Sequence, residues 1–159
     1  MELKSLLNWD EYFMSVAILA ALRSKDPSSK VGACIVDEEH KVVSLGYNGM
    51  PRGIDETKLS WEKGAGLDNK YLYVAHAEFN AILNTRSGSS LKDTTIYVTL
   101  FPCNECAKAL IQVGVKEVVY LEDKYADSIP VLASKKLLKL ANIKVRKYEG
   151  KVLNPMFHE

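Results

Sequence analysis

Two short motifs, His76-Ala77-Glu78 and Pro102-Cys103-Asn104-Glu105-Cys106, constrain this chain more than any other feature. Between them lies a strand-length β-rich stretch, residues 95–100. Zinc takes neutral imidazole and thiolate ligands in tetrahedral geometry, and a catalytic site uses three protein ligands and leaves the fourth position to water. His76, Cys103 and Cys106 supply three. Residues two apart on a helix point to nearly opposite sides. His76 and Glu78 therefore share one pocket only if His76 sits at a helix mouth, with Glu78 in the first turn. Cys103 and Cys106, three apart, share a helix face, and Pro102 marks where that helix starts. Free backbone N–H groups and the positive dipole end there favour thiolate over thiol. The fold must aim two helix N-termini at one metal ion.

Each half alone leaves alternatives open. A Cys-x-x-Cys pair among alternating strands and helices also suits a redox couple, and Glu78 in a first helical turn also suits a carboxylate that only stabilises the dipole. The redox reading leaves His76 and Glu78 without work. Together and in this order the motifs match the signature of zinc nucleobase deaminases. Bound zinc lowers the pKa of water to about 7. Glu78, not a ligand, is then placed to take the water proton, deliver it to ring nitrogen 3 of cytosine and later protonate the departing ammonia.

With 159 residues the chain has room for one core. Residues 1–149 read as a single zinc-dependent deaminase domain, and residues 150–159, which lack periodicity, as a loosely held C-terminal tail. Net charge is +1, with Lys and Arg scattered rather than gathered. That distribution argues against a nucleic-acid backbone as partner and for a small charged substrate. Three cysteines, two of them assigned to metal, leave no pair for a structural disulfide, as expected in a reducing, cytoplasmic setting. Cys34, inside the apolar run 31–36, reads as a buried strand cysteine. The apolar stretch 12–22 is too short to span a bilayer and follows Asp10 and Glu11, so neither signal peptide nor membrane anchor is expected.

Asn8 with Glu11 forms a cap-like start, and Trp9, Phe13, Val16 and Ala20 recur at helical spacing, predicting a helix that ends near Lys25 before Asp26-Pro27. Residues 31–36 and 42–46 are β-rich and separated by a charged turn holding His40, which predicts an antiparallel hairpin. Residues 49–70 are too long for a simple connector and read as a functional loop. A catalytic helix follows over 76–85, with Ala77, Ala81 and Ile82 facing the core and Gly88 beyond its end. The second half alternates: strand 95–100, helix 104–113, strand 117–121, helix 130–141, strand 144–148. Such alternation implies parallel strands. The expected fold class is α/β, a three-layer α/β/α arrangement around a mixed sheet of about five strands, with the Cys pair beyond a strand's carboxyl end.

The motifs resemble the cytidine deaminase superfamily, and within it the deoxycytidylate deaminases. The stretches that carry the likeness include Trp9-x-x-Tyr12-Phe13-Met14, Arg23-Ser24-Lys25-Asp26-Pro27, Val31-Gly32-Ala33 and Gly46-Tyr47-Asn48-Gly49-Met50-Pro51-x-Gly53. His76-Ala77-Glu78-x-Asn80-Ala81-Ile82 and Phe101-Pro102-Cys103-Asn104-Glu105-Cys106-Ala107-Lys108 complete it. The resemblance implies a cytidine-deaminase-like fold, Zn2+ as cofactor, and conversion of dCMP to dUMP and ammonia, feeding dTMP synthesis. It also implies that Asn48 bonds the deoxyribose, that the amides after His76, beginning at Ala77, hold the pyrimidine oxygen, and that the chain forms a homo-oligomer, a hexamer. Regulation by dCTP as activator and dTTP as inhibitor is implied likewise, with the 49–70 segment as the candidate element that orders around an effector. By itself Asn48-Gly49 also reads as a turn.

The 5′-phosphate needs a cationic or N–H-rich clamp. Arg23, Ser24 and Lys25, ending the first helix, are the first nominees, although basic residues there also suit a solvated cap. Lys124 and Tyr125 are the second. Rival readings are a deaminase that also accepts dCTP, a nucleic-acid cytosine or adenosine deaminase, and a silent zinc-stabilised assembly subunit. Transfer-RNA adenosine deaminases usually place Glu where Phe101 stands. A structural zinc site needs a fourth ligand rather than a proton carrier such as Glu78.

Overall fold

A computed structural model describes residues 6–86 and 90–153. Five strands form one mixed sheet in the order β2-β1-β3-β4-β5: β1 Gly32–Val36, β2 Val42–Tyr47, β3 Thr95–Leu100, β4 Glu117–Glu122 and β5 Lys144–Lys147. β1 runs antiparallel to both β2 and β3, whereas β3, β4 and β5 are parallel. Four α-helices flank it: α1 Trp9–Ala21, α2 Ala77–Leu83, α3 Asn104–Gln112 and α4 Ile129–Leu140.

Side-chain alternation along the strands divides the core into two layers. Ala33, Ile35, Ile96, Val98 and Val118 pack with Ala77, Ala81, Leu110 and Leu138 of α2, α3 and α4. Cys34, Val36, Tyr97 and Val119 point the other way, onto Phe13, Met14 and Ala17 of α1. The expected three-layer α/β/α arrangement is the one observed. Cys34 is fully buried in β1, where burial pushes its thiol up to about 12, and it takes no part in the metal cluster.

α1 starts with the capping box expected of Asn8 and Glu11, each side chain accepting from the other's backbone N–H, at 2.8 and 3.1 Å. Its buried stripe is Phe13, Met14, Ala17, Ala20 and Ala21, while Trp9 is half-exposed and Val16 only partly covered. The stripe is rotated from the expected one because α1 lies directly on Gly32 of β1, where an added Cβ would strike the Ala17 carbonyl and the Ala21 amide. The helix also stops at Ala21 rather than near Lys25, since the amides of Arg23 and Ser24 turn back to the Ala20 and Ala21 carbonyls.

His40 sits in the β1–β2 turn as expected, at φ 60, with its ring stacked on Trp9 at 4.5 Å. The 49–70 segment is not structureless. Three 3-10 turns, Glu56–Lys58, Gly66–Asp68 and Lys70–Leu72, punctuate it, and Gly49 and Ala75 exchange two backbone hydrogen bonds at 3.1 and 2.8 Å. The position of Gly88 and residues 154–159 of the tail lie outside the described residues. Residues 151–153 carry no regular element, and the Lys151 carbonyl accepts a bond from the Tyr148 hydroxyl. Among the described residues no helix is long and apolar enough to cross a membrane.

Candidate active site and metal centre

The antiparallel start of β1, the end of β2 and the carboxyl ends of β3 and β4 meet at one edge of the sheet, and α2 and α3 begin there. This is where ligands bind in open α/β sheets. His76 is the N-cap of α2 and Cys103 the N-cap of α3, both in extended conformation, so the two helix mouths meet as the motif spacing requires. His76 Nδ1 lies 3.5 Å from Cys103 Sγ and 3.4 Å from Cys106 Sγ. One donor atom from each of the three falls within 4.8 Å of the others.

The donor set fits a divalent metal. The Cys106 thiol hydrogen bond, assisted by the His76 ring, holds Cys103 down to about 4 against the opposing effect of burial. Cys106 is pushed up, first by that same shared hydrogen bond and then by burial. The two sulfurs share a hydrogen bond next to the His76 ring, whose pKa is raised chiefly by its hydrogen bond to Cys103. A soft or borderline cation replaces such shared protons, and two thiolates with one imidazole is a recognised catalytic zinc set.

Glu78, in the first turn of α2, is 3 % exposed, and burial raises its carboxyl, opposed by Cys106 and His76 beside it. A carboxyl with a raised pKa is suited to carrying protons near neutral pH. The position of α2 depends on Gly46 of β2, where an added Cβ would strike the Ala77 carbonyl and Ala81 amide. The Asn80 side chain then donates to the Tyr47 carbonyl at 2.8 Å and fixes α2 along the strand.

A cavity of about 320 Å³ opens onto His76 and Cys103 of the cluster. Asn48, Ala77 and Tyr125, all expected at the site, line it, as do His76, Glu78 and Cys103. Ala77 is the first residue of α2, so its N–H has no partner within the helix. Asn48 is buried and largely committed: its Oδ1 accepts from the Val31 N–H at 2.9 Å, and its Nδ2 donates to the Ser29 carbonyl at 2.8 Å and to Asp26 Oδ2 at 3.5 Å. One oxygen lone pair remains for a ligand.

The other nominees lie elsewhere. Arg23 and Lys25 line a second cavity of about 230 Å³ with Arg52, Glu56, Asn80 and Asn84, and Asn48 is the residue common to both cavities. Ser24 is buried, its hydroxyl donated to the Asn48 carbonyl at 2.8 Å. The backward turn after Ala21 carries all three away from the metal side. Lys124 instead reaches Ser29 Oγ at 3.5 Å and stands 5.2 Å over the Tyr125 ring, and both of those residues line the first cavity.

Sequence reasoning missed Lys70, which lines the first cavity, is 3 % exposed and pairs with Asp26. A lone Lys in a charged loop carries no periodic signal, and its burial depends on chain segments 44 residues apart.

Residues 7–122 match the cytidine and deoxycytidylate deaminase zinc-binding region, a span that contains every residue of the metal cluster and Glu78. The chain is 55 % identical to the deoxycytidylate deaminase of Mus musculus over 147 residues, 91 % of this chain and 82 % of that protein. With the Homo sapiens deoxycytidylate deaminase it shares 54 % identity over 144 residues, 89 % of this chain and 80 % of that one. Among solved structures, the dCMP deaminase of cyanophage S-TIM5 in complex with dCMP and dUMP superposes with a TM-score of 0.72 at 26 % identity, covering 87 % of this chain and 95 % of that chain. A His/Cys/Cys cluster at two helix mouths, a buried glutamate two residues beyond the histidine and sequence identity across nearly the whole chain agree, and the protein belongs to the cytidine and deoxycytidylate deaminase family.

Proposed function

We propose that this protein hydrolyses dCMP to dUMP and ammonia, with zinc held by His76, Cys103 and Cys106 and Glu78 as the proton carrier. The observation that carries the reading is Glu78: a carboxyl group 3 % exposed, without an ion pair among the described residues, lining one cavity with His76 and Cys103 of the His/Cys/Cys cluster. A buried unpaired carboxylate is costly unless it has chemical work.

Zinc, when bound, supplies a water of pKa about 7 at its open position. Deamination adds water oxygen to ring carbon 4 and breaks the bond from carbon 4 to the exocyclic nitrogen. Glu78 takes one proton of the attacking water and passes it to ring nitrogen 3, then takes the second from the hydroxyl now on carbon 4 and delivers it to the exocyclic nitrogen, which leaves as ammonia as the carbonyl forms. The free Ala77 N–H holds the pyrimidine oxygen, and Asn48 directs its remaining lone pair to the sugar hydroxyl. The apolar walls Val31, Val74, Leu100 and Val131 exclude water from the base. We assign the phosphate to Ser29, Lys124 and Tyr125, a reading supported by Arg23 and Lys25 lining the second cavity instead.

The second cavity gathers Arg23, Lys25 and Arg52. It is the place we assign to a dCTP activator or dTTP inhibitor, its Lys25–Glu56 ion pair at 2.9 Å reaching into the 49–70 segment. Phe79 and Leu83, one turn apart and exposed on α2, suit a contact between copies of the chain in a homo-oligomer, with a hexamer as the expected form. Three free thiols suit a reducing, cytoplasmic setting.

The test is a panel of dCMP, dCTP, deoxycytidine, single-stranded DNA and transfer RNA, run with and without added dCTP and dTTP. Turnover confined to dCMP supports the reading. Preference for either nucleic acid overturns it, and flat responses to both nucleotides reject the regulatory part.

A further inference from the structure

Lys70 and Asp26 form a nearly solvent-free ion pair, their side chains 4 % and 3 % exposed. Lys70 Nζ donates to both Asp26 oxygens at 3.0 and 2.9 Å and to Ser28 Oγ at 2.7 Å, which uses all three of its protons. Asp26 Oδ1 also accepts from the Ser28 and Ser29 amides at 2.9 and 3.1 Å, and Asn48 Nδ2 stands 3.5 Å from Oδ2. Burial alone raises the Asp26 carboxyl, but the bonds from Lys70, Ser28 and Ser29 outweigh it and leave it below the usual range.

Dehydrating two charges costs several kcal/mol, and a well-packed apolar pair usually stabilises a fold as well or better. The pair is therefore better explained by what it holds. Asp26, Ser29, Asn48 and Lys70 all line the cavity that opens onto His76 and Cys103. Three chain segments meet at this one carboxylate: the turn after α1, the end of β2, and the last 3-10 turn before His76. Lys70 also organises its own segment, since its N–H donates to the Glu62 carbonyl and its carbonyl accepts from the Tyr73 and Val74 amides. Val74 is cavity wall, and Ala75 pairs with Gly49 directly before His76.

We infer that the Lys70–Asp26 pair is a buried latch that fastens the 56–75 segment onto the cavity and sets Asn48 and Ser29 for the sugar and phosphate end of the nucleotide. Lys70 and Asp26 are positioning residues, acting through Asn48 and Ser29 rather than on the reacting atoms. The substrate half of this inference rests on the dCMP reading above; the latch half does not.

The experiment compares Lys70→Met, Asp26→Asn and the double variant with the wild-type chain, all loaded with zinc. Each single variant is expected to raise KM for dCMP about ten-fold or more while kcat stays within about three-fold, with the inhibition constant of dUMP rising in parallel. The double variant is expected to be no worse than the weaker single, since both act through one contact. Amides 70–75 are expected to lose hydrogen-exchange protection in Lys70→Met. A merely structural pair would lower the melting midpoint and leave KM of the folded enzyme unchanged, and that result overturns the inference. So does additivity in the double variant, or a fall in kcat at constant KM. If Lys70→Met does not fold, the near-isosteric Asp26→Asn gives the same readouts. A wild-type chain inactive on dCMP sinks the dCMP reading alone, because hydrogen exchange reports the latch without substrate.

Discussion

Gly46 of β2 and Ala77 of α2 are in backbone-to-backbone contact, so the strand carries the catalytic helix without an intervening side chain. A Cβ at Gly46 would also stand 2.9 Å from the Ala81 Cα, and none of these backbone atoms can rotate away. Gly46→Ala must lift α2 and move His76 and Glu78 relative to Cys103 and Cys106. The expected loss is about 1–3 kcal/mol of stability, the usual cost of overpacking, together with most of the activity. Thermal melting and the dCMP assay check this, and a variant with wild-type kcat refutes the coupling of β2 to the site.

Removing a ligand separates metal from fold. Cys103→Ser or His76→Ala is expected to lose stoichiometric zinc and activity together, and a chelator is expected to abolish wild-type turnover until zinc is returned. Metal analysis alongside the assay is decisive. Full activity in thoroughly chelated protein contradicts the role of the cluster.

Glu78→Gln keeps the shape of the side chain and removes its ability to shuttle protons. Turnover should fall by at least about 10²- to 10⁴-fold, with zinc content and melting temperature near wild type. Normal activity in this variant would eliminate Glu78 as the proton carrier.

Arg23 lines the second cavity, whereas Lys124 contacts Ser29 and Tyr125 of the first. Lys124→Ala is expected to raise KM for dCMP by about ten-fold while changing residual deoxycytidine turnover little, the pattern of lost phosphate binding. Arg23→Ala is expected to leave KM for dCMP near wild type without nucleotides and to blunt the response to dCTP and dTTP. The reverse pattern returns the phosphate to the end of α1.

The far end of the sheet governs behaviour in acid. Asp10 accepts from Arg146 at 2.5 and 2.9 Å and from the Tyr97 hydroxyl at 2.6 Å, and the Arg146 bond is the largest influence holding its carboxyl below the usual range. Asp26 is depressed as well. A carboxylate with a lowered folded-state pKa adds stability that is fully present above its unfolded value of about 3.9 and is lost as pH falls through the folded value. Urea midpoints should therefore hold between pH 7 and pH 5 with respect to these groups and fall below about pH 4. Asp10→Asn should flatten part of that acid slope, and an unchanged slope rules Asp10 out.

The metal centre was legible from spacing because its logic is local. A His-x-Glu pair needs a helix mouth and a Cys-x-x-Cys pair needs one helix face, and both conditions are satisfied within a single turn, as His76 and Cys103 at the N-caps of α2 and α3 demonstrate. The existence of β1 and β3 was likewise legible from their apolar, β-rich runs, whereas which of their side chains meets α1 and which meets α2 to α4 came from the packing. The buried stripe of α1 was not legible, since Met14 and Ala17 are selected by contact with Gly32 rather than by periodicity within the helix. Nor was the division of cations between the two cavities. Whether Arg23, Lys70 or Lys124 faces the nucleotide depends on how the turn after Ala21 and the 56–75 segment fold against distant strands, and such long-range placement leaves no mark in neighbouring residues. Sequence alone determined which side chains form the His/Cys/Cys cluster, because ligand type and spacing are short-range constraints; tertiary structure alone decided which charges line each cavity, because burial and pairing are properties of the assembled fold.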